Sequence, residues 1–268
     1  MISAPPPQWN AHRVTAVTCA ALLPPLITGL VMGGLAEIGT FGLALLLGVL
    51  WPLLFSVLRR SAFNWHGPIT AMVFALLLPA STPLWQAALA LSFGLVFGNL
   101  IFGGNGRSFL NGATVGLAFL LFSFPAAPSN GAMPQVTLAA AFSGAILMAA
   151  GLLSWRIVAG FGLCLAALLQ VVPASPDEHD LQNASLILGL VFLIGDPVAG
   201  ASTHLGRWLY GALAAALVVV LGQASDGFGA LPAVVFGALL ASIFAPLLDQ
   251  IAIHANQRRR ARRQSLEP

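Results

Sequence analysis

Between Val14 and Ile253 the sequence is a succession of long apolar runs, separated by short polar or Gly- and Pro-containing breaks. Only 7% of the residues are charged against 58% hydrophobic, with a mean hydropathy of +0.91. A soluble domain carries about 25% charged residues, so this chain cannot clothe a water-facing globule. In lipid the difficulty disappears, because the outer surface must then be apolar. A length of 268 residues holds about ten helices of ~20 residues with short connections, and leaves no room for a second, soluble domain. The expectation is an all-α, polytopic membrane protein and not a soluble enzyme.

The runs place spans at 14–32, 40–58, 67–80, 84–102 and 109–125, then at 135–153, 157–173, 183–198, 207–222 and 229–253. The first is read as a retained span, since MISAPPPQWNAHR has three consecutive prolines and no small-residue cleavage site follows it. Two runs, 67–80 and 183–198, fall short of the ~20 residues of a full crossing. Both end in proline-bearing breaks, LLPASTPLW and IGDPVAGASTHLGRW. Short, interrupted segments in matching places mark an inverted-repeat, transporter-like fold with its site at the repeat interface. After each break come a Trp (Trp85, Trp208), a span rich in small residues, a Gly-containing turn and another long span. Five spans per half invert the second half relative to the first. The expected division is a single transmembrane domain, 14–253, with halves of about 14–130 and 131–253.

Charge orients the chain. It has no lysine, and its 11 basic residues are Arg13, Arg59, Arg60, Arg107, Arg156, Arg207 and five in RRRARR. With the N-terminus inside, all of them fall on the cytoplasmic side of the ten-span arrangement, as positive-inside bias requires. The loop ASPDEHDLQN and Asp226 fall on the other side. Both termini are therefore expected in the cytoplasm, 1–13 as a short leading segment and 254–268 as a basic tail. RRRARR reads as a topology anchor touching anionic lipid headgroups, not as a nucleic-acid site.

Ionisable residues inside spans are costly and commonly functional. Asp249, in FAPLLDQ, is a candidate for ion or proton handling or a structural partner for a nearby Arg or helix end. Asp196, in IGDPV, is a candidate for the ion pathway or a cap for a broken helix beside Thr203 and Arg207. Glu37, in GGLAEIG, either joins that pathway or simply faces water. The segment FGGNGRSFLNGATVG combines Gly103, Gly104, Gly106 and Gly112 with Asn105, Arg107, Ser108 and Asn111. Such a cluster suits either a plain turn or a planar heteroaromatic ligand, and it lacks the GxxxxGK[ST] pattern of a phosphate loop. His66, His204 and His254 lie near span boundaries without metal spacing, and ordinary interfacial hydrogen bonding is expected of each. Cys19 and Cys164 stand alone in apolar runs, which argues against a disulfide framework or thiolate metal site. No Ser/His/Asp arrangement, HExxH or CxxC is present.

The stretch FALLLPASTPLWQAALALSFGLVFGNLIFGGNGRSFLNGATVGLAFLLFSFP resembles the NqrB/RnfD family, membrane subunits of sodium-pumping NADH:quinone oxidoreductases and their Rnf relatives. SWRIVAG, GDPVAGASTHLGRWLYGAL and FGALLASIFAPLLDQIAIHANQRRRARR are similar to the same family in the same order, over roughly residues 60–263. The resemblance implies a urea-transporter-like fold of ten helices in a 5+5 inverted repeat. It also implies passage of electrons from flavin toward quinone in a multi-subunit complex that moves Na⁺ or H⁺. In the family, the segment matching GRSFLNGA supplies two asparagines to a noncovalent riboflavin site. Here the second is Asn111, while Ser108 and Gly112 replace the first asparagine and the usual proline. The acid matching Asp249 is implicated in cation handling, and an acid–glycine pair expected near the third span is His66-Gly67.

The long outer loop whose threonine is esterified to FMN is reduced to PAAPSNGAMPQ, and the N-terminal soluble extension is missing. NGAT at Thr114 mimics the attachment motif but lies in the noncovalent segment, so no covalent FMN is expected there. The resemblance therefore implies a shortened member with a noncovalent flavin, riboflavin or FMN, against Gly103, Gly104, Ser108 and Asn111. It implies no metal cluster. It places the chain in the bacterial inner membrane among other membrane and flavin- or iron–sulfur-bearing subunits. The alternative from another class is a non-redox solute or ion channel or transporter on the same fold, since fold alone does not choose.

Overall fold

The structure, a computed structural model, describes residues 11–60, 63, 65–79, 82–104, 106–124, 134–171, 184–223 and 230–264. The described residues form helices and no strand. In chain order these are α1 (Ala11–Arg59), α2 (Gly67–Leu77), α3 (Leu84–Phe93), α4 (Gly112–Ser123), α5 (Pro134–Ala149), α6 (Trp155–Val171), α7 (Ala184–Gly189), α8 (His204–Gln223) and α9 (Ala230–Gln264). Two helices widen at their C-terminal ends: α3 continues as a π-helix over Gly94–Leu100, and α7 over Leu190–Ile194. Among the described residues, four helical stretches are long and apolar enough to cross a bilayer: Arg13–Gly34, Glu37–Arg59, His204–Gln223 and Ala230–Gln257. Six more are apolar but shorter. The chain is a membrane protein.

The first two expected spans are the two arms of α1, Arg13–Gly34 and Glu37–Arg59, which part at a kink. Gly34 there takes φ 64° and ψ −149°, a conformation that costs a side-chain-bearing residue too much to adopt. Pro24 and Pro25 inside the first arm remove two backbone donors. The Thr28 hydroxyl donates to the Pro24 and Pro25 carbonyls at 3.0 and 3.1 Å, which satisfies the hydroxyl itself where lipid cannot. At the other end of the chain, α9 runs on past the expected span to Gln264.

Small residues set how closely the helices approach. Gly48 on α1 faces Gly67 and Pro68 at the start of α2, and any side chain at Gly67 would strike Pro52 and the Gly48 carbonyl. That contact seats the first turn of α2 and so positions His66. In α8, Gly211 lies against the Ile157 carbonyl of α6. Gly211→Val should push α6 and α8 apart and cost about 1–3 kcal/mol or more. Gly162→Ala, on α6 with open space around it, should be silent. Melting of the detergent-solubilised protein, followed by size-exclusion chromatography, reads the difference.

The helix pairings recur in matched sets. α3 packs on α4 as α8 packs on α9, α1 on α3 as α6 on α8, and α2 on α4 as α7 on α9. Three further pairs join the sets: α1 with α5, α2 with α7, and α4 with α9. The interior is closed by the fully buried side chains of Phe74, Phe161 and Tyr210.

Candidate functional site

Helix ends build most of a cleft with about 60 Å³ of room for water-sized groups, its mouth open to the surroundings. α2 contributes His66, Ile69, Thr70 and Val73, α4 its leading residue Asn111, and the π-turn after α7 Phe192, Gly195, Asp196, Pro197 and Val198. The first turns of α1 (Val14, Thr18), the end of α5 (Leu147) and the α5–α6 connection (Leu152, Leu153) complete an apolar rim.

Asn111 is the hinge of this arrangement. Its Oδ1 accepts from the Ala113 and Thr114 amides at 2.9 and 3.4 Å, which caps α4. Its Nδ2 donates to Asp196 Oδ2 at 2.7 Å and to the Phe192 carbonyl at 3.1 Å. One amide therefore ties the start of α4 to the break after α7, across 85 residues of sequence. Asp196 Oδ1 accepts from the Val198 amide at 2.9 Å, folding the DPV turn around the carboxylate. Pro197 leaves no amide of its own there. His66, half-buried just ahead of α2, lines the same cleft.

A second polar string leads inward from the glycine-rich turn. The buried Ser108 hydroxyl donates to Asn99 Oδ1 at 3.3 Å, Asn99 Nδ2 to the Thr70 hydroxyl at 3.4 Å, and Thr70 to the His66 carbonyl at 3.2 Å. Asn99 lies in the π-helical part of α3, a geometry that recurs at functional positions.

Of the residues expected from sequence to hold a ligand, Asn111 reaches the cleft and Ser108 reaches it through Asn99 and Thr70. Gly104 is buried, with φ 96°, and Gly103 is exposed in the turn, with φ 103°. Thr114 is 2% exposed inside the first turn of α4. PAAPSNGAMPQ falls largely outside the described residues, as do ASPDEHDLQN and Asp226.

Asp196 faces Asn111 rather than Thr203 and Arg207, because its turn curls back toward α4. Thr203 belongs instead to Asp249. The Asp249 carboxylate accepts four hydrogen bonds: Ser202 amide and hydroxyl at 2.8 and 2.9 Å, Thr203 amide and hydroxyl at 2.9 and 2.6 Å. It thereby caps α8 from α9. Glu37 opens the second arm of α1, half-buried, its methylenes over Gly33. Arg207 donates to the Ala201 carbonyl at 3.3 Å.

Sequence reasoning places His66 at the interface and does not single out Asn99 or Thr70. Two signals point to this region: an amide within an apolar run at Asn99, and an imidazole directly before the Gly-Pro start of a short span at His66. Among the described residues, no group of three or more His, Cys, Asp or Glu could hold a metal ion.

Comparison with known proteins gives a consistent picture. The model of the NQR2, RnfD, RnfE family matches residues 7–136 and 129–258. The corresponding subunit of the Na(+)-translocating NADH-quinone reductase of Pseudomonas paraeruginosa is 32% identical over 290 positions, covering 87% of this chain and 71% of that protein. The equivalent protein of Yersinia pestis is 30% identical, covering 95% of this chain and 76% of its own length. That of Azotobacter vinelandii is 30% identical, covering 87% of this chain and 71% of its own length. The first alignment runs over more positions than this chain has residues, so the relative carries internal residues with no counterpart here.

Proposed function

The chain belongs to the NQR2, RnfD, RnfE family, and from that premise we propose that it is a membrane subunit of an Nqr/Rnf-type, flavin-dependent electron-transport complex. Its electron transfer is coupled to Na⁺ or H⁺ translocation, and its partners are membrane and flavin- or iron–sulfur-bearing subunits of the same complex in the bacterial inner membrane. The observation that carries the reading is the cleft, where a largely apolar lining meets the bonded pair Asn111 and Asp196, with His66 also in the wall. A noncovalent isoalloxazine has that same division, an apolar plane with hydrogen-bonding groups along one side. Asn111 spends its whole amide on the Asp196 turn and the start of α4 and so shapes the cleft for the ring rather than bonding it, Ser108 acts through Asn99 and Thr70, and Gly103 and Gly104 let the neighbouring backbone turn. Asp196 is the acid of the cleft, with Asp249 and Glu37 as the other acids of the ion route.

The matched helix pairings and the two successive family matches support a 5+5 inverted repeat within one transmembrane domain, halves meeting at the cleft. The arginines support cytoplasmic termini. Reporter fusions after Arg60, Arg156 and the C-terminus should all read inside, and fusions within 174–182 outside. A C-terminus that reads outside sinks the repeat.

The deciding experiment is the absorbance of the purified chain. Flavin bands that disappear on acid precipitation, leaving the flavin in the supernatant, are expected. A colourless protein from flavin-replete cells overturns the reading. The same preparation tests Thr114, whose hydroxyl is buried in α4. On a denaturing gel under ultraviolet light no fluorescent band is expected, in wild type or in Thr114→Ala, even with the family's flavin transferase present.

A further inference from the structure

We propose that the paired starts of α6 and α8 bind the phosphate of an anionic phospholipid, between the guanidinium groups of Arg156 and Arg207 and against the indoles of Trp155 and Trp208. The inference stands apart from the flavin reading and takes nothing from it.

The two helices run side by side in the same direction. Trp155, the first residue of α6, packs on Trp208 in the second turn of α8, ring centroids 5.6 Å apart and planes at 87°. Deeper in, Gly211 of α8 lies against the Ile157 carbonyl and the Phe161 amide of α6. The contact advances along both helices together, so both begin at one membrane surface.

Positive charge gathers at that surface. The Arg156 guanidinium lies over the Trp155 ring, 4.9 Å from its centroid. Arg207 donates from Nε to the Ala201 carbonyl at 3.3 Å, which holds the side chain and leaves its two terminal nitrogens for another acceptor. His204, exposed at the head of α8, feels the charge of both arginines. Neither guanidinium has a carboxylate partner among the described residues. Asp196 is taken up by Asn111 and the Val198 amide, and Asp249 by Ser202 and Thr203. Asp249 offsets the positive end of α8. The first turn of α6 holds no acid, so its end keeps the equivalent of about half a positive charge.

Charge selects an anion here, and the surroundings select a lipid. Leu205 and Leu209, one turn apart on α8, and Leu163 of α6 are exposed. They continue the surface from the arginines toward the bilayer interior. Acyl chains cover these leucines, which a soluble phosphate would leave bare. A guanidinium fork matches two oxygens of a phosphate diester, and paired indoles suit the headgroup level of a bilayer.

The test follows melting of the full chain in a neutral detergent as phosphatidylglycerol, phosphatidylcholine or inorganic phosphate is added. Phosphatidylglycerol should raise the melting temperature at a concentration about tenfold or more below that needed of phosphatidylcholine, since each basic residue attracts an anionic headgroup. Inorganic phosphate should leave it unchanged. Arg156→Gln with Arg207→Gln should weaken the phosphatidylglycerol effect by about tenfold or more, the scale of one lost charge-assisted hydrogen bond. Arg258→Gln with Arg259→Gln, in the basic tail, should change it far less. Phosphatidylglycerol that acts no better than phosphatidylcholine overturns the proposal, as does inorganic phosphate that matches it. So does an effect lost in the tail pair and kept in the Arg156 and Arg207 pair. A glutamine pair that sheds a partner subunit from the complex, with the lipid effect on the chain unchanged, marks a protein surface and overturns it too. If the glutamine pair does not fold, Arg156→Lys with Arg207→Lys keeps both charges and loses both forks. An unchanged phosphatidylglycerol midpoint in that variant overturns the proposal, and a weakened one supports it.

Discussion

Asp196→Asn and Asn111→Asp should each be severely damaging alone and should largely rescue each other's folding when combined. In the first, an amide faces the Asn111 amide, so hydrogens meet where a carboxylate accepted at 2.7 Å. In the second, two carboxylates are forced to that distance in a buried site. Leaving a buried donor without its acceptor costs about 1–3 kcal/mol, and paired buried carboxylates cost more. The double variant exchanges donor and acceptor: the carboxylate now at position 111 can still cap α4 and can accept from the amide now at position 196. A coupling energy of about 2–3 kcal/mol, the upper part of the usual range for contacting residues, is expected from the four melting curves. Flavin-linked turnover in the complex should not recover with it, because the negative charge has moved from the α7 turn to α4. Four additive melting shifts would show that the contact holds nothing together.

The second large effect falls on Asp249. Asp249→Ala strips the acceptor from two backbone amides and two hydroxyls at once. The hydroxyls can turn elsewhere, and Thr203 already caps α8 by accepting from the Gly206 amide at 3.0 Å. The Ser202 amide is exposed and can turn to water, so the part-buried Thr203 amide carries the loss, about 1–3 kcal/mol. A lowered melting temperature is the expected result. Asp249→Asn keeps one accepting oxygen and should lose about half as much. These two variants also divide the roles open to this acid from sequence. Cation-stimulated turnover that falls in step with folded yield marks a strut between α9 and the loop before α8. Turnover that falls while Asp249→Asn keeps its melting temperature marks a carboxylate on the ion route.

Much of the helix layout is legible because lipid leaves the sequence so little freedom. The short spans at 67–80 and 183–198 appear as α2 and as α7 with its π-turn, both cut short before prolines. Asn111 can be singled out because an amide between glycines at a helix start has few ordinary uses. Its partner cannot, since Asp196 lies 85 residues away and the direction in which the DPV turn curls depends on packing against α4. The widened turns at Gly94–Leu100 and Leu190–Ile194 leave no trace in apolar periodicity. They arise where a helix end adjusts to neighbours that sequence alone does not place. His66 escapes notice for a related reason. A histidine beside a predicted boundary looks interfacial until the Gly48–Gly67 contact draws the start of α2 inward and brings it into the cleft wall, half-buried.

The uneven packing of the first and last helices bears on how the protein is made. The two arms of α1 leave the ribosome before the other described helices, yet only 17% and 22% of their apolar stretches are buried, against 56% for α9. α9, the last of the described helices to arrive, fills the faces of α4, α7 and α8 and brings the carboxylate that caps α8. Insertion of α1 therefore cannot rest on tight packing, and the interior stays open until α9 is made. A premature stop codon just ahead of residue 230 should be as ruinous as one near residue 130.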